Sequence, residues 1–406
     1  MPADGTSRRS FLQGGAAVLG GAALALGGRA VVDAATADPA DAAAPDDAAG
    51  RATVAFRGER QPGVTTRPQA FAAFVALDLV DGFDRDALVR LMRIWTDDAE
   101  RLMAGTPGLA DQEKELAAVP ARLTVTFGYG PRVFEAAGLA DRAPGWLRPL
   151  PAFGVDRLED AWTGGDLVLQ VCADDEVTVS HAVRLLVKDA RTFTTVRWVQ
   201  RGFRHAPGTT PSGTTMRNLM GQVDGTRNPD VGVEPALVWS SDDAGPAHAG
   251  STSMVVRRIA MNLDTWDELD RDGREKAVGR RLDTGAPLTG TREHDEPDLD
   301  AKGPNGLTVI GPFAHIRRAR SENTAERFLR RGYNYDDAPA PGRLSNSGLV
   351  FTTFQRDVDA QFVPIQRRLD ELDLLNEWTT PIGSAVFYVP GGARSGEYVG
   401  QRLLEA

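Results

Sequence analysis

"FAAFVALDL" (residues 71–79) and "DRDALVRLMRIWTDDAERLMA" (84–104) lie next to each other but follow different periods. The first is a short, β-rich apolar run and reads as a strand. The second repeats apolar residues three and four apart and reads as an amphipathic helix. Working outward, "ARLTVTFGYG" (121–130) predicts a second strand and "DLVLQVCAD" (166–174) a third. "EVTVSHAVRLLVKDAR" (176–191) then predicts a helix and "TTVRWVQRGF" (194–203) a closing strand. Strand, helix, strand, strand, helix, strand is the ferredoxin-like unit, an antiparallel sheet with its helices on one face.

The same order recurs more loosely downstream. "SMVVRRIAMNL" (253–263) predicts a strand, "TWDELDRDGREKAVGRR" (265–281) a helix opened by Thr265, and "HIRRARS" (315–321) a strand end or loop. "SGLVFTTFQ" (347–355) predicts a strand, "DAQFVPIQRRLDEL" (359–372) a helix interrupted at Pro364, and "SAVFYVPGG" (384–392) the last strand. The expected class is α+β, two ferredoxin-like domains in tandem with antiparallel sheets. Their boundary is expected in the Gly-, Pro- and Thr-rich "RHAPGTTPSGTT" (204–215), giving domains over 52–212 and 213–406. The acidic, turn-rich "REHDEPDLDAKGPNGL" (292–307) predicts a surface loop.

A chain of 406 residues exceeds one comfortable core, which agrees with two domains. Its 42% hydrophobic and 25% charged residues exclude disorder as the main state. A net charge of -10 argues against nucleic acid or an anionic membrane as partner. The lone Cys172 allows no internal disulfide.

At the N-terminus, "SRRSFLQGGAAVLGGAALALGG" (7–28) sets Arg8 and Arg9 before a weakly apolar stretch, with small residues Ala34 and Ala37 as cleavage points. It predicts a twin-arginine leader over 1–37 and export of the folded chain to the cell envelope or beyond. The stretch is too short and glycine-rich for a good membrane span, and none is expected in the mature chain. "DAATADPADAAAPDDAAG" (33–50) is low in complexity and predicts a disordered linker over 38–51. Leaders of this type often serve chains that load a cofactor before export.

Among the five histidines, His181, His205, His248, His294 and His315, no pair has the helical spacing of a zinc site. No GxGxxG, GxxxxGK[ST] or GxSxG motif stands in the required context. What remains is a single histidine working with a distant acid and base, the economy of a site where a cofactor does the hard chemistry. Taken singly, Asp224 in "GQVDGTRNP" (221–229) reads as a turn residue, and Arg330 and Arg331 read as surface charges.

Together they read differently. "GQVDGTRNP", then "AHIRR" (314–318), then "LRRGYNY" (329–335) resembles the dye-decolorizing peroxidase family, exported haem peroxidases built from two ferredoxin-like domains. The resemblance extends through "FRGERQPGVTTRPQ" (56–69), "LTVTFGYGPRVFEAAGL" (123–139) and "GLVFTTFQRDVDAQFVPIQRRL" (348–369), and so over nearly the whole mature chain. The leader and "GERQPG" resemble the branch associated with iron or copper handling.

The resemblance implies haem b in the C-terminal domain, with His315 as the axial ligand of its iron. Glu377, in "LNEWTTPIG" (375–383), is the expected carboxylate partner of that histidine. Asp224 would be the distal acid and base that moves a proton on hydrogen peroxide. A free aspartate has a pKa of about 4, so an acid of this type suits mildly acidic solution. Arg330 would stabilise the developing negative charge, with Arg331 as the alternative one register away. Leu349 and Phe351 would wall the distal pocket, Asn228 and Thr226 would brace the loop, and Arg227 and Arg317 would reach the haem propionates. "RARSEN" (318–323) departs from the family text after His-Ile-Arg and puts any propionate contact from that loop in doubt.

The implied reducing substrates are dyes, phenolic compounds or an exported redox partner, and an iron or copper uptake complex is a candidate dock. Trp239, Trp266, Trp378, Tyr333, Tyr335 and Tyr388 are candidates for passing electrons to large donors. The reading from a different class is a haem-binding, iron-handling protein of the deferrochelatase kind, in which peroxidase activity is incidental.

Overall fold

The computed structural model describes residues 50–241 and 244–406; the expected leader and the linker up to residue 49 lie outside the described residues. The first half runs β1 (Phe71–Leu79), α1 (Arg85–Met103), β2 (Thr124–Tyr129), β3 (Leu167–Ala173), α2 (Glu176–Ala190) and β4 (Thr194–Phe203). Its strands lie in the order β2-β3-β1-β4, all antiparallel.

The second half runs β5 (Thr252–Met261), α3 (Arg271–Val278), α4 (His315–Ala319), β6 (Leu329–Arg330), β7 (Tyr333–Asp336), β8 (Ser347–Gln355), α5 (Val363–Leu372) and β9 (Thr379–Val389). Here β9 pairs with β5, β5 with β8, and β8 with both β6 and β7. Each half therefore has the ferredoxin-like order, with its first strand between its last and its next-to-last. The fold is a tandem of ferredoxin-like units, as the two passes of the sequence predict.

The two sheets meet at both edges through single residue pairs, Tyr129 with Tyr388 and Phe203 with Asn334. They enclose a shared interior, and this explains why β1 is apolar from Phe71 to Leu77 instead of alternating. Ala73, Val75 and Leu77 face the helices, with Leu88, Trp95 and Leu186 in the same core. Ala72, Phe74 and Ala76 face the space between the sheets, in one cluster with Trp198, Phe354 and Phe387. Asp84 and Asp175 cap α1 and α2 by accepting from the N–H groups of Ala87 and Thr178, both at 2.8 Å.

Four local expectations change. "LRRGYNY" supplies β6 and β7, the strands the second half needs between its helix and β8. The helix expected over 265–281 breaks in two, a turn over Leu263–Trp266 and then α3, because Asp270 caps a new start by accepting from Gly273 N–H at 2.7 Å. His315 opens a one-turn helix, not a strand end. The helix expected over 359–372 changes character next to Pro364: a π turn over Val358–Phe362 runs straight into α5, and Pro364 lies in the first turn of the α part. Among the described residues, no helix is long and apolar enough to cross a membrane.

One buried ion pair anchors the floor of the second sheet. Arg257 on β5 stands directly opposite Phe351 on β8 and is 1% exposed. Its guanidinium forms a forked pair with Asp156 and reaches Ser384 Oγ at 3.2 Å. Asp156→Ala would leave that charge buried without its counterion. The expected loss is about 3–5 kcal/mol of unfolding free energy, read from urea denaturation.

Candidate active site

Asp224 ends a tight loop held by its own backbone. Its N–H donates to Met216 O at 2.8 Å, Arg217 bridges Val223, and Asn218 N–H donates to Gln222 O at 3.0 Å. Gly221 (φ 81°) and Gly225 (φ 128°) take left-handed conformations that a side chain would strain, which is why glycines bracket this motif. Below the loop, Glu293 Oε1 accepts from the hydroxyls of Thr215 at 2.6 Å and Thr226 at 2.9 Å. The bracing expected of Thr226 thus runs through Glu293, an acid of the 292–307 loop.

Arg330 comes to this loop from β6, and its Nη1 lies 3.4 Å from Asp224 Oδ1. The neighbouring arginine goes the other way, as successive residues of an extended chain do. Arg331 turns inward, fully buried, and donates to Thr66 O and Gln69 Oε1. Leu349 and Phe351 are two apart on β8 and share a face. Leu349 belongs to an apolar cluster with Met216, Met220, Met261 and Trp266, against which Ile316 and Phe351 also pack.

His315 opens α4, and its Nδ1 lies 2.6 Å from Asp373 Oδ2. A carboxylate oxygen accepts, so in the neutral ring Nδ1 carries the proton and Nε2 keeps its lone pair. Nε2 has no partner among the described residues. Burial lowers the affinity of the ring for a proton, but the charge and hydrogen bond of Asp373 outweigh it, and the pKa ends above the ordinary histidine value. Arg330 and Asp224 also act electrostatically on this ring, from opposite signs. The side chains of His315, Asp224 and Arg330 remain 29%, 18% and 25% exposed, which leaves each open to a ligand.

One expectation fails here, and the two arginines expected at propionates have other partners. The carboxylate beside His315 is Asp373, not Glu377. Leu374 N–H donates to Phe313 O at 2.9 Å, which pins the Asp373 end of the short turn over Leu374–Glu377 to the histidine loop, and Glu377 is exposed at its other end. Arg317 donates to the main-chain carbonyls of Leu299 and Ile310, which ties the acidic 292–307 loop to the segment before His315. Arg227 is half exposed and pairs with Glu296 at 3.2 Å. Of the six aromatic candidates, all but Trp378 are buried; Trp378 meets Trp266 edge-on, with ring centroids 5.2 Å apart.

This donor set fits a haem. A neutral imidazole backed by a carboxylate offers one free nitrogen, an acid and a guanidinium stand together nearby, and apolar side chains line the space.

Comparison with known proteins gives the same answer. Residues 61–204 match the family model described as Dyp-type peroxidase, N-terminal, and residues 215–394 match Dyp-type peroxidase, C-terminal. A dye-decolorizing peroxidase of Thermobifida fusca is 39% identical, over 99% of this chain and 98% of its own. A deferrochelatase of Yersinia pestis is 35% identical, over 98% of this chain and 95% of its own. The crystal structure of a DyP-type peroxidase from Cellulomonas bogoriensis superposes with a TM-score of 0.86 at 62% identity, covering 88% of this chain and 99% of the other. The chain belongs to the dye-decolorizing peroxidase family.

Proposed function

We propose that this haem b peroxidase works through Asp224 and Arg330, which would act on hydrogen peroxide, and through His315, backed by Asp373, which would hold the cofactor. The observation that carries the reading is the paired arrangement itself: an imidazole with its outer nitrogen fixed and its inner nitrogen free, near an acid held 3.4 Å from an arginine. Bound at His315 Nε2, haem supplies the redox chemistry by which hydrogen peroxide is reduced and a donor oxidised.

The rest falls to the protein. Asp224 accepts a proton from hydrogen peroxide and returns it to the departing oxygen as the O–O bond breaks. Arg330 offers a fixed positive charge to the peroxide anion and to the developing negative oxygen. Asp373 holds the imidazole in one tautomer and strengthens it as a ligand. Leu349 and Phe351 exclude bulky molecules, so large aromatic or dye donors give up electrons from outside the pocket. Trp378, partly exposed and against buried Trp266, is the aromatic best placed to pass them. Export by the twin-arginine route, and an exported redox partner or an iron or copper uptake complex as dock, belong to this proposal through the leader sequence alone.

The similarity to a deferrochelatase favours stating a second reading, in which the fold holds porphyrin for iron release. Product analysis separates the two. Given one equivalent of haem per chain, a dye and excess hydrogen peroxide, the peroxidase reading predicts many dye molecules oxidised per haem with the cofactor intact. Metal-free porphyrin as the main product, with about one turnover or less, would transfer the assignment to the second reading.

A further inference from the structure

β6 lies at the edge of the second sheet, and both main-chain polar groups of Arg330 point away from its partner β8. No strand meets them there. The side-chain amide of Asn228 does: its Nδ2 donates to Arg330 O at 2.8 Å, and its Oδ1 accepts from Arg330 N–H at 2.9 Å. Asn228 N–H in turn donates to Gly225 O at 3.0 Å, one residue beyond Asp224. A closed ring results, running from Asp224 through Gly225 and Asn228 to the Arg330 backbone, then along the Arg330 side chain back to Asp224.

Asp224 and Arg330 are far apart in the chain, and the Asn228 side chain ties the Asp224 loop to the Arg330 backbone. We infer that Asn228 is a positioning residue for the peroxide reaction, acting as a one-residue substitute strand that fixes the Arg330 guanidinium against Asp224. This rests on the reading of Arg330 given above. The chemistry asks for an amide, since only a planar group with one donor and one acceptor satisfies both N–H and C=O at once. Aspartate is isosteric but sets an oxygen against the Arg330 carbonyl and adds a charge that competes for the guanidinium. Glutamine keeps both groups on a longer stem.

The test is the second-order rate of reaction with hydrogen peroxide for haem-loaded parent, Asn228→Ala, Asn228→Gln, Arg330→Ala and the Asn228→Ala/Arg330→Ala double variant. Misplacing a reacting group by about 1 Å costs up to about 100-fold. Asn228→Ala is therefore expected to be about 10- to 100-fold slower, with Asn228→Gln recovering much of the loss and the KM for dye unchanged. In the Arg330→Ala background, Asn228→Ala should add nothing, because its effect passes through Arg330. A slow Arg330→Ala beside a parent-like Asn228→Ala overturns the inference and leaves the proposed function standing. Two losses that multiply in the double variant also overturn it, since they would mark general damage to the loop. A parent-like Arg330→Ala removes the reading of Arg330 and the inference together.

Discussion

Asp224→Asn is expected to react with hydrogen peroxide about 10²–10⁴-fold more slowly than the parent while keeping its haem, the range that removal of a general acid–base group commands. Asparagine preserves the size of the side chain and its acceptor oxygen toward Arg330, but it cannot take a proton from peroxide at neutral or mildly acidic pH. Folding should be little affected. The ion pair lost with Arg330 is partly open to solvent, at 18% and 25% exposure, and such pairs contribute at most about 1 kcal/mol. Rapid mixing with excess peroxide, followed in the Soret band, measures the rate directly. A variant within threefold of the parent would mean that another group moves the proton.

The second large effect concerns His315. His315→Ala should leave the purified protein essentially without haem, because His315 Nε2 is the ligand nitrogen that this reading assigns to the iron. Asp373→Asn is the finer probe. Its amide oxygen can still accept from His315 Nδ1 and keep the ring in place, but the negative charge that makes the imidazole a stronger ligand is gone. Loss of such a partner typically weakens binding about 10- to 100-fold, so haem titration should show a proportionate loss of affinity. Glu377→Gln serves as the control and should bind haem as the parent does. Weakened binding in Glu377→Gln with parent-like binding in Asp373→Asn would reverse the assignment.

The architecture was legible where local pattern and tertiary environment agree. β1 and β8 span the same residues as their apolar runs, because each is buried on both faces and bounded by turn residues. β6 and β7 were not legible, since "LRRGYNY" carries two arginines and an asparagine where a strand pattern would want apolar residues. Their polar side chains are placed by partners distant in sequence: Arg331 by Thr66 and Gln69, Asn334 by the carbonyl of Arg217. The motif glycines, Asp224 and His315 could be singled out by resemblance, but which carboxylate meets His315 depends on where α5 ends. Asp373 gives a local sign of its own, an aspartate just past a helix end that accepts from Leu375 N–H at 3.0 Å. Glu293 offered no such sign, because an acid in an acidic loop looks like its neighbours until Thr215 and Thr226 fold against it.

The most direct measurement is the absorption spectrum of the purified, haem-loaded protein before and after one equivalent of hydrogen peroxide, and again after a dye is added. The account predicts a Soret band that changes on mixing and returns as the dye is bleached. Bound haem whose spectrum ignores peroxide would contradict the roles given to Asp224 and Arg330, and failure to bind haem at all would contradict that of His315.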